Sequence, residues 1–293
     1  MARTWHKRVG VATALASLGL SSCRPVLLHH FEPKFLTTGP NGPETPESLG
    51  VAYERVKIPS INRTLDGYLV QAPAACRPKV ALLIFHGVME TISEWVQAQR
   101  FLYDHCISSV VFDYSGHGDS SRPGTIRNLN QDAVAAYSWF ASRFANDTRP
   151  CVLGHSMGNG PMLEGLPSFQ PAPAYVVVAN AFSSLRDSAV HSGTPKIFSY
   201  MIPDIWNNVK NVSHDRTPLL LVHSDADSVN PIAMGQRIFR AAPEPKYMLV
   251  LHGFKHNALY KTPSEQWWTS VLQFLRGERS SEMSASTETR AHW

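Results

Sequence analysis

The chain has 293 residues, of which 17% are charged, and a formal net charge of +4. This length suits one α/β domain behind an N-terminal segment. The mild positive charge is not gathered into basic runs interleaved with aromatic residues, which argues against nucleic acid as a partner. The sequence has no Cys/His cluster with metal-ligand spacing, no Gly-rich phosphate loop and no dinucleotide fingerprint, so we expect neither a metal nor another cofactor.

Residues 1–22 have the pattern of a signal peptide or membrane anchor. Arg3, Lys7 and Arg8 precede an apolar stretch over residues 9–20, which is too short to span a bilayer comfortably. The ending Leu20-Ser-Ser-Cys23 resembles a bacterial lipoprotein signal, and this resemblance implies that Cys23 carries lipid after cleavage. An ordinary signal peptide and an uncleaved anchor are the alternatives, and each of these interpretations predicts export. Residues 23–50 are rich in Pro, Gly, Thr and Glu and are interpreted as a tether to a domain over residues 51–277.

Export bears on the remaining cysteines, which are Cys76, Cys106 and Cys151. An oxidising compartment permits one disulfide bond among them and leaves one thiol. Separation along the chain does not select the pair, so every pairing stays open.

From about residue 51 the chain alternates short apolar runs with helical patterns, which is typical of a mostly parallel sheet covered by helices on both faces. Eight strands are predicted, over residues 52–58, 65–71, 80–85, 109–113, 151–154, 175–180, 219–223 and 247–251. Helices are predicted over residues 92–105, 130–144, 157–166, 232–241 and 264–276. No helix separates the first two strands, so we expect them to pair antiparallel at one edge. Residues 278–293 are polar and aperiodic, and we expect a disordered tail there.

The segment Gly154-His155-Ser156-Met157-Gly158 lies between the fifth predicted strand and a predicted helix. A serine on a tight strand-to-helix turn is held in a strained backbone conformation with its hydroxyl exposed, and flanking glycines let neighbouring backbone approach closely. The helix that follows directs free N–H groups and the positive end of its dipole toward an oxyanion. The GxSxG pattern alone also fits an ordinary glycine turn, so its surroundings decide between a nucleophile and a structural serine.

The strand pattern and the elbow together resemble the α/β-hydrolase superfamily of serine hydrolases, over about residues 50–277. The resemblance implies an α/β-hydrolase fold, with an eight-stranded mostly parallel sheet and helices on both faces. It also implies a catalytic triad with the acid after the seventh strand and the histidine after the eighth. Residues 223–231 resemble the family's HGxxDxxVP segment, and residues 253–257 resemble its GxxHN segment. These matches place the acid on Asp227 and the base on His256, with Ser156 as the nucleophile.

Other polar residues of these motifs are given lesser roles. Asp225 is a reserve candidate for the acid, and Asp187 is a weaker one. His86, His117 and His155 occupy motif positions in which we expect them to organise turns or hydrogen bonds.

An oxyanion formed during acyl transfer needs two backbone donors. By the same resemblance these are the N–H groups of Met157, next after the nucleophile, and of Val88, just past the turn that ends the third strand. The residues after His86-Gly87 are Val and Met rather than further glycines, so we expect an oxyanion hole built only of backbone donors.

A short cap is expected between the sixth and seventh strands, over residues 183–216. Phe198, Met201 and Trp206 are candidates to line an acyl pocket there, although a cap that simply packs on the body fits equally well. Residues 180–187 and 204–209 resemble the lysophospholipase, monoglyceride-lipase and depalmitoylase branch of the superfamily. This resemblance implies a small-molecule or lipid-like acyl substrate.

The sequence therefore predicts a membrane-tethered serine hydrolase that cleaves carboxylic esters or thioesters through an acyl-enzyme intermediate. A serine peptidase or aminopeptidase is one alternative, because the same triad cleaves amides. A non-catalytic binding protein of the same fold is another, but all the candidate triad residues are present. A haloalkane dehalogenase or epoxide hydrolase would carry Asp at the nucleophile position, where this chain has Ser156.

Overall fold

The computed structural model describes residues 36–77, 79–144, 148–278 and 284–285. Within these ranges the strands are β1 (Glu54–Ser60), β2 (Arg63–Val70), β3 (Val80–Phe85), β4 (Ile107–Phe112), β5 (Arg149–His155), β6 (Tyr175–Ala179), β7 (Leu219–Ser224), β8 (Lys246–Leu251) and β9 (Ser284–Ala285). They form one sheet in the order β1-β2-β4-β3-β5-β6-β7-β8-β9. The sheet is parallel from β4 to β8, and β1 pairs antiparallel with β2 at one edge, as predicted.

All eight predicted strands are present, and their burial follows their place in the sheet. Every residue of the central strand β3 is buried, because helices cover both faces of a parallel sheet. From its second residue onward, the edge strand β1 instead alternates exposed and buried residues, with Val56, Ile58 and Ser60 facing inward. The hydrophobic pattern of each strand thus agrees with the number of faces it buries.

The ninth strand follows the last helix of the domain. Ser284–Ala285 pairs antiparallel with β8, although it belongs to the segment that the sequence predicted to be disordered. Backbone hydrogen bonding to an edge strand is available to any sequence, so a polar composition does not prevent it. Residues 279–283 and 286–293 of the predicted tail lie outside the described residues.

Helices cover the two faces of the sheet. The α-helices of the described ranges are α1 (Val96–Asp104), α2 (Ile126–Arg143), α3 (Asn159–Gly165), α4 (Leu185–His191), α5 (Lys196–Ser199), α6 (Asn208–Val212), α7 (Ile232–Ala241), α8 (Ala258–Lys261) and α9 (Glu265–Arg276). Short 3-10 turns occupy Pro46–Leu49, Ile92–Trp95, Ser156–Gly158 and Leu166–Ser168. The core on one face is built with α2, α3 and α7, and the core on the other with α1 and α9. None of the helices in the described ranges is long and apolar enough to cross a membrane.

Helix α2 begins earlier than the sequence predicted. Its first residue is Ile126 rather than residue 130, and the Thr125 side chain accepts a hydrogen bond from the Asn128 N–H at 3.1 Å. A threonine in this N-cap position satisfies one of the free donors of the first turn and so fixes the start of the helix.

Part of the predicted tether packs on the domain instead. Leu36 is buried in the hydrophobic core on the face of the sheet that α2 covers, and the Thr38 N–H donates to the Gly116 carbonyl at 3.0 Å. The Thr38 hydroxyl oxygen also accepts the N–H of Gly118 at 2.8 Å. Residues 36–38 therefore contact the domain through buried groups, and the tether over residues 23–50 stays a prediction. The predicted signal at residues 1–22, the lipidation candidate Cys23 and the rest of the tether lie outside the described residues.

The cap between β6 and β7 contains α4, α5 and α6, and its two ends meet on the body. The Val209 N–H donates to the Ser183 carbonyl at 3.2 Å, and the Asn208 side-chain amide donates to the Phe182 carbonyl at 2.9 Å. The cap is thus an insert that leaves and re-enters the domain at one place.

The cysteine pairing that the sequence left open is resolved in the structure. Cys76 and Cys106 form a disulfide bond that joins the connection after β2 to the turn after α1. Among the cysteines of the described ranges, Cys151 is the remaining thiol, and it is buried within β5.

Candidate active site

Ser156 lies where β5 ends, in the 3-10 turn that leads into α3. Its φ of 52° is in the left-handed region, which a residue with a side chain rarely adopts. Close packing requires glycine on either side of it. A Cβ atom on Gly158 would lie 2.0 Å from the Phe85 carbonyl oxygen, and one on Gly154 would lie 2.6 Å from Oδ1 of Asn159. The surroundings thus hold the serine in a strained turn against the end of β3.

A chain of hydrogen bonds joins the three residues that the sequence assigned to the triad. His256 Nδ1 lies 2.7 Å from Asp227 Oδ2, and His256 Nε2 lies 2.9 Å from Ser156 Oγ. Because a carboxylate can only accept, Nδ1 carries the proton, and Nε2 is left to accept the proton of the serine hydroxyl. The Asp227 side chain is fully buried and that of His256 is 12% exposed, so water does not compete at the carboxylate end.

Backbone donors fix the orientation of Asp227. Its Oδ1 accepts the N–H of Val229 at 2.8 Å and that of Asn230 at 3.0 Å, which leaves Oδ2 for His256. Burial alone would raise the pKa of Asp227, but the hydrogen bond and charge of His256 and the two backbone donors outweigh it. The pKa of Asp227 therefore lies below its ordinary value, and the group is ionised at neutral pH.

The two reserve acids are engaged elsewhere. Asp225 accepts hydrogen bonds from His252 Nδ1 at 2.8 Å and from the Gly253 N–H at 2.8 Å. Asp187 lies in α4 of the cap, where it accepts the Ser183 hydroxyl at 2.6 Å. Neither carboxylate is oriented toward the serine by these contacts.

The loop after β3 runs beside the nucleophile candidate. A Cβ atom on Gly87 would lie 3.2 Å from the Cβ of Ser156, so the backbone of this loop passes directly against the serine. Val88, the next residue, is partly buried, and Met157 is buried. Val88 follows Gly87 and Met157 follows Ser156, so each oxyanion-hole candidate is next in the chain to one of these two neighbouring residues. The roles of Val88 and Met157 stay predictions.

The sequence analysis did not identify Glu90, a buried residue of this loop that pairs with His155. Its carboxylate lies 3.1 Å from His155 Nδ1, and His155 Nε2 lies 3.1 Å from the His256 carbonyl oxygen. Burial alone would raise the pKa of Glu90 and lower that of His155, but the opposite charges of the pair outweigh it in both cases. Both ring nitrogens of His155 face acceptors, so the ring is an imidazolium paired with a carboxylate. A position three residues after an HG turn was the only available signal in the sequence.

The other two motif histidines are buried beside Tyr114. His86 Nδ1 donates to the Gly87 carbonyl at 2.9 Å, and its ring packs edge-on against Tyr114. His117 is buried next to the same tyrosine, and burial lowers its pKa to about 3, which keeps the ring neutral.

The three candidates for the acyl pocket separate in the structure. Phe198 is 37% exposed in α5, and Met201 is partly buried just after that helix. Trp206 is a core residue instead, since it is 2% exposed and its indole N–H donates to Asn130 at 2.7 Å. A Cβ on Gly160 of α3 would lie 2.6 Å from the Trp206 ring, so this side chain anchors the cap to the helix that follows the nucleophile candidate.

Within the described ranges, no group of three or more His, Cys, Asp or Glu side chains is arranged to hold a metal ion.

Known proteins resemble this chain in sequence and in structure. A family model described as serine aminopeptidase, S33 (Hydrolase_4), matches residues 76–208. The lysophosphatidylserine lipase ABHD12 of Macaca fascicularis is 27% identical over 180 residues, which are 53% of this chain and 45% of that protein. Protein ABHD12B of Homo sapiens is 26% identical over 218 residues, or 65% of this chain and 60% of that protein. The chain thus spans about half the length of the curated relatives it matches.

Among solved structures, the esterase Pf2001 of Pyrococcus furiosus superposes with a TM-score of 0.67 at 20% identity. The superposition covers 84% of this chain and 99% of that one. At this identity the likeness is one of fold. With the sheet order, the strained elbow and the sequence relatives, it leads to one conclusion: the chain has the α/β-hydrolase fold.

Proposed function

We propose that the protein is a serine hydrolase that cleaves carboxylic esters or thioesters through an acyl-enzyme intermediate. The observation that carries the proposal is the hydrogen-bonded chain from Asp227 through His256 to a serine held at a φ of 52°. A serine hydroxyl is a weak nucleophile at its ordinary pKa, and this geometry supplies the base that activates it.

In the proposed reaction, Ser156 Oγ attacks the acyl carbonyl carbon while His256 Nε2 takes the hydroxyl proton. The N–H groups of Val88 and Met157 would stabilise the oxyanion that forms. Collapse of this intermediate breaks the bond to the leaving alcohol or thiol, which receives the proton from His256. Water then attacks the acyl-enzyme by the same route, releases the carboxylic acid and restores the serine.

The proposed substrates are lipid-like acyl compounds. Support comes from relatives named as lysophosphatidylserine lipases and from a structural neighbour named as an esterase. The cap adds apolar surface, because Ile197 is 74% exposed, Tyr200 is 62% exposed and Phe198 lies beside them. Three exposed apolar side chains on and just after one short helix are suited to an acyl chain.

A peptidase is the second candidate, because the family model matching residues 76–208 is described as a serine aminopeptidase. Hydrolysis of aminoacyl p-nitroanilides at a higher kcat/KM than p-nitrophenyl esters of matched size would favour this activity over the first.

We further propose that the protein is exported and held at a membrane through Cys23. The bond between Cys76 and Cys106 supports export, because structural disulfides form and persist in oxidising compartments. The Cys23→Ala variant should move from the membrane fraction to the soluble fraction. Its retention in the membrane fraction would instead favour an uncleaved anchor over residues 1–22.

The first experiment is covalent labelling of the full chain by a fluorophosphonate probe, beside Ser156→Ala and the surface control Ser142→Ala. Labelling of the wild type and the control but not of Ser156→Ala would support an activated serine. A screen of esters and thioesters of graded chain length, including lysophosphatidylserine, would then define the substrate. A folded wild type that is not labelled would favour the binding-protein alternative.

A further inference from the structure

Glu90 holds three separate parts of the structure through one buried carboxylate. Its Oε2 accepts the Gly87 N–H at 2.8 Å and the Trp95 indole N–H at 3.0 Å. Its Oε1 accepts the His155 Nδ1–H at 3.1 Å. Gly87 precedes the proposed oxyanion donor, and His155 precedes the proposed nucleophile. The carboxylate therefore joins the oxyanion loop to the nucleophile elbow.

His155 extends this connection to the loop that carries the base. Its Nε2 donates to the His256 carbonyl oxygen, which also accepts the side-chain amide of Asn180 at 2.8 Å. The His155 ring is fixed by packing, because it meets the rings of Trp95 and Tyr260 edge-on at centroid distances of 5.8 and 5.3 Å. Such packing leaves the ring little freedom to follow a displaced partner.

We propose that Glu90 and His155 form a positioning pair, whose hydrogen bonds fix the oxyanion loop, the nucleophile elbow and the His256 loop relative to one another. This inference rests on the proposed function, since it assigns the pair a part in the same reaction. Neither residue touches the reacting atoms. Their effect is on geometry, and a displacement of about 1 Å in a catalytic group can cost on the order of a hundredfold in rate.

The hydrogen bonds can be separated from the charge. In Glu90→Gln, the amide oxygen can take the place of Oε2 and keep the Gly87 and Trp95 donors, while the amide N–H groups face His155 Nδ1. His155 then becomes neutral, with its proton on Nε2, and still donates to the His256 carbonyl. Replacing a buried ion pair by neutral groups that keep its hydrogen bonds is tolerated, so this variant should fold.

The test compares Glu90→Leu, Glu90→Gln and the matched control Glu94→Leu in the full chain. Glu94 lies four residues further on, in the 3-10 turn Ile92–Trp95, and its side chain is 37% exposed. We measure kcat and KM with p-nitrophenyl butyrate, the rate of fluorophosphonate labelling and the thermal unfolding midpoint. In Glu90→Leu we expect kcat and the labelling rate to fall about tenfold to a hundredfold, with KM within about twofold of wild type. Glu90→Gln and Glu94→Leu should stay within about threefold of wild type in kcat.

A folded Glu90→Leu with wild-type kcat would overturn the inference, and so would a Glu90→Gln variant that loses as much as Glu90→Leu. If Glu90→Leu does not fold, His155→Phe is added to Glu90→Gln. This change keeps an aromatic ring between Trp95 and Tyr260 and removes the donor to the His256 carbonyl. A further fall of about tenfold in kcat is expected, and an unchanged kcat would overturn the inference.

The two proposals fail in different ways. If the wild type is labelled and turns over ester while every folded variant matches it, the positioning role fails and the serine hydrolase stands. If the folded wild type is neither labelled nor active, the proposed function fails, and the positioning role is withdrawn with it.

Discussion

Replacing Asp227 by Asn should abolish most of the activity while leaving the fold intact. The structure determines how the new side chain would sit. The two backbone N–H groups that now donate to Oδ1 would hold the amide oxygen in that place, so the amide nitrogen must face His256 Nδ1. An amide N–H donates, so Nδ1 would become the acceptor and the imidazole proton would move to Nε2.

A proton on Nε2 points at Ser156 Oγ, 2.9 Å away, and the ring can then no longer accept the proton of the serine. The wrong tautomer and the lost carboxylate charge together should lower kcat by about 10³- to 10⁴-fold, which corresponds to about 4–5.5 kcal/mol of transition-state stabilisation. The assay is kcat on p-nitrophenyl butyrate, with circular dichroism and thermal unfolding to verify the fold.

Asp225→Asn is the matched control. The Asp225 carboxylate accepts hydrogen bonds from His252 and Gly253, which precede His256 in the same loop, and these bonds do not involve the His256 side chain. It should keep kcat within about threefold of wild type. A folded Asp227→Asn with near-normal kcat would refute the reasoning. A large loss in Asp225→Asn alone would move the acid to that residue.

Three further predictions concern stability. Cys76 and Cys106 are 30 residues apart, so the Cys76→Ala/Cys106→Ala variant should lose about 3–4 kcal/mol of unfolding free energy in urea, and an unchanged midpoint would contradict this. Gly158→Ala brings a Cβ to 2.0 Å from a backbone carbonyl oxygen and should lose about 3 kcal/mol or more of unfolding free energy. In the control Gly39→Ala the added Cβ meets no atom within 4 Å, so this variant should melt like wild type. Because the pKa of Glu90 is lowered from 4.5 to about 2, the stability it contributes is present above pH 4.5 and lost as the pH falls toward 2. Between pH 4.5 and pH 2, the thermal unfolding midpoint should therefore fall less steeply with pH for Glu90→Gln than for wild type. Parallel curves of midpoint against pH for the two proteins would argue against the ion pair.

The fold was accessible from the sequence because its signals are local. Six-residue apolar runs such as Val80–Phe85 can only be buried on both faces, and their alternation with amphipathic helices selects a parallel sheet. The candidates Ser156, Asp227 and His256 each follow the carboxyl end of a strand, and parallel strands bring those ends to one edge. Their proximity could thus be anticipated, while their catalytic roles remain predictions.

The parts that sequence reasoning missed depend on contacts between distant residues. Glu90 lies in an irregular loop, and its pairing with His155 spans 65 residues, for which no periodicity gives a signal. Leu36 lies in a Pro- and Gly-rich segment, and only its burial against the body shows that this segment belongs to the domain. For Trp206 the sequence left a pocket and simple packing of the cap open, and only the contact of its ring with Gly160 on a neighbouring helix shows how it packs in the core.

The meeting of the two ends of the cap has a consequence for how substrate range can diverge. Because Val209 and Asn208 bond back to Ser183 and Phe182, the segment between them behaves as an exchangeable cassette closed at its base. A replacement of different length should leave the strand ends with Ser156, Asp227 and His256 in place if it preserves this closure and the packing of Trp206 against α3. Under the proposed function, the cap would set the substrate range and the strand ends would carry the chemistry, so mutation could vary the first without disturbing the second.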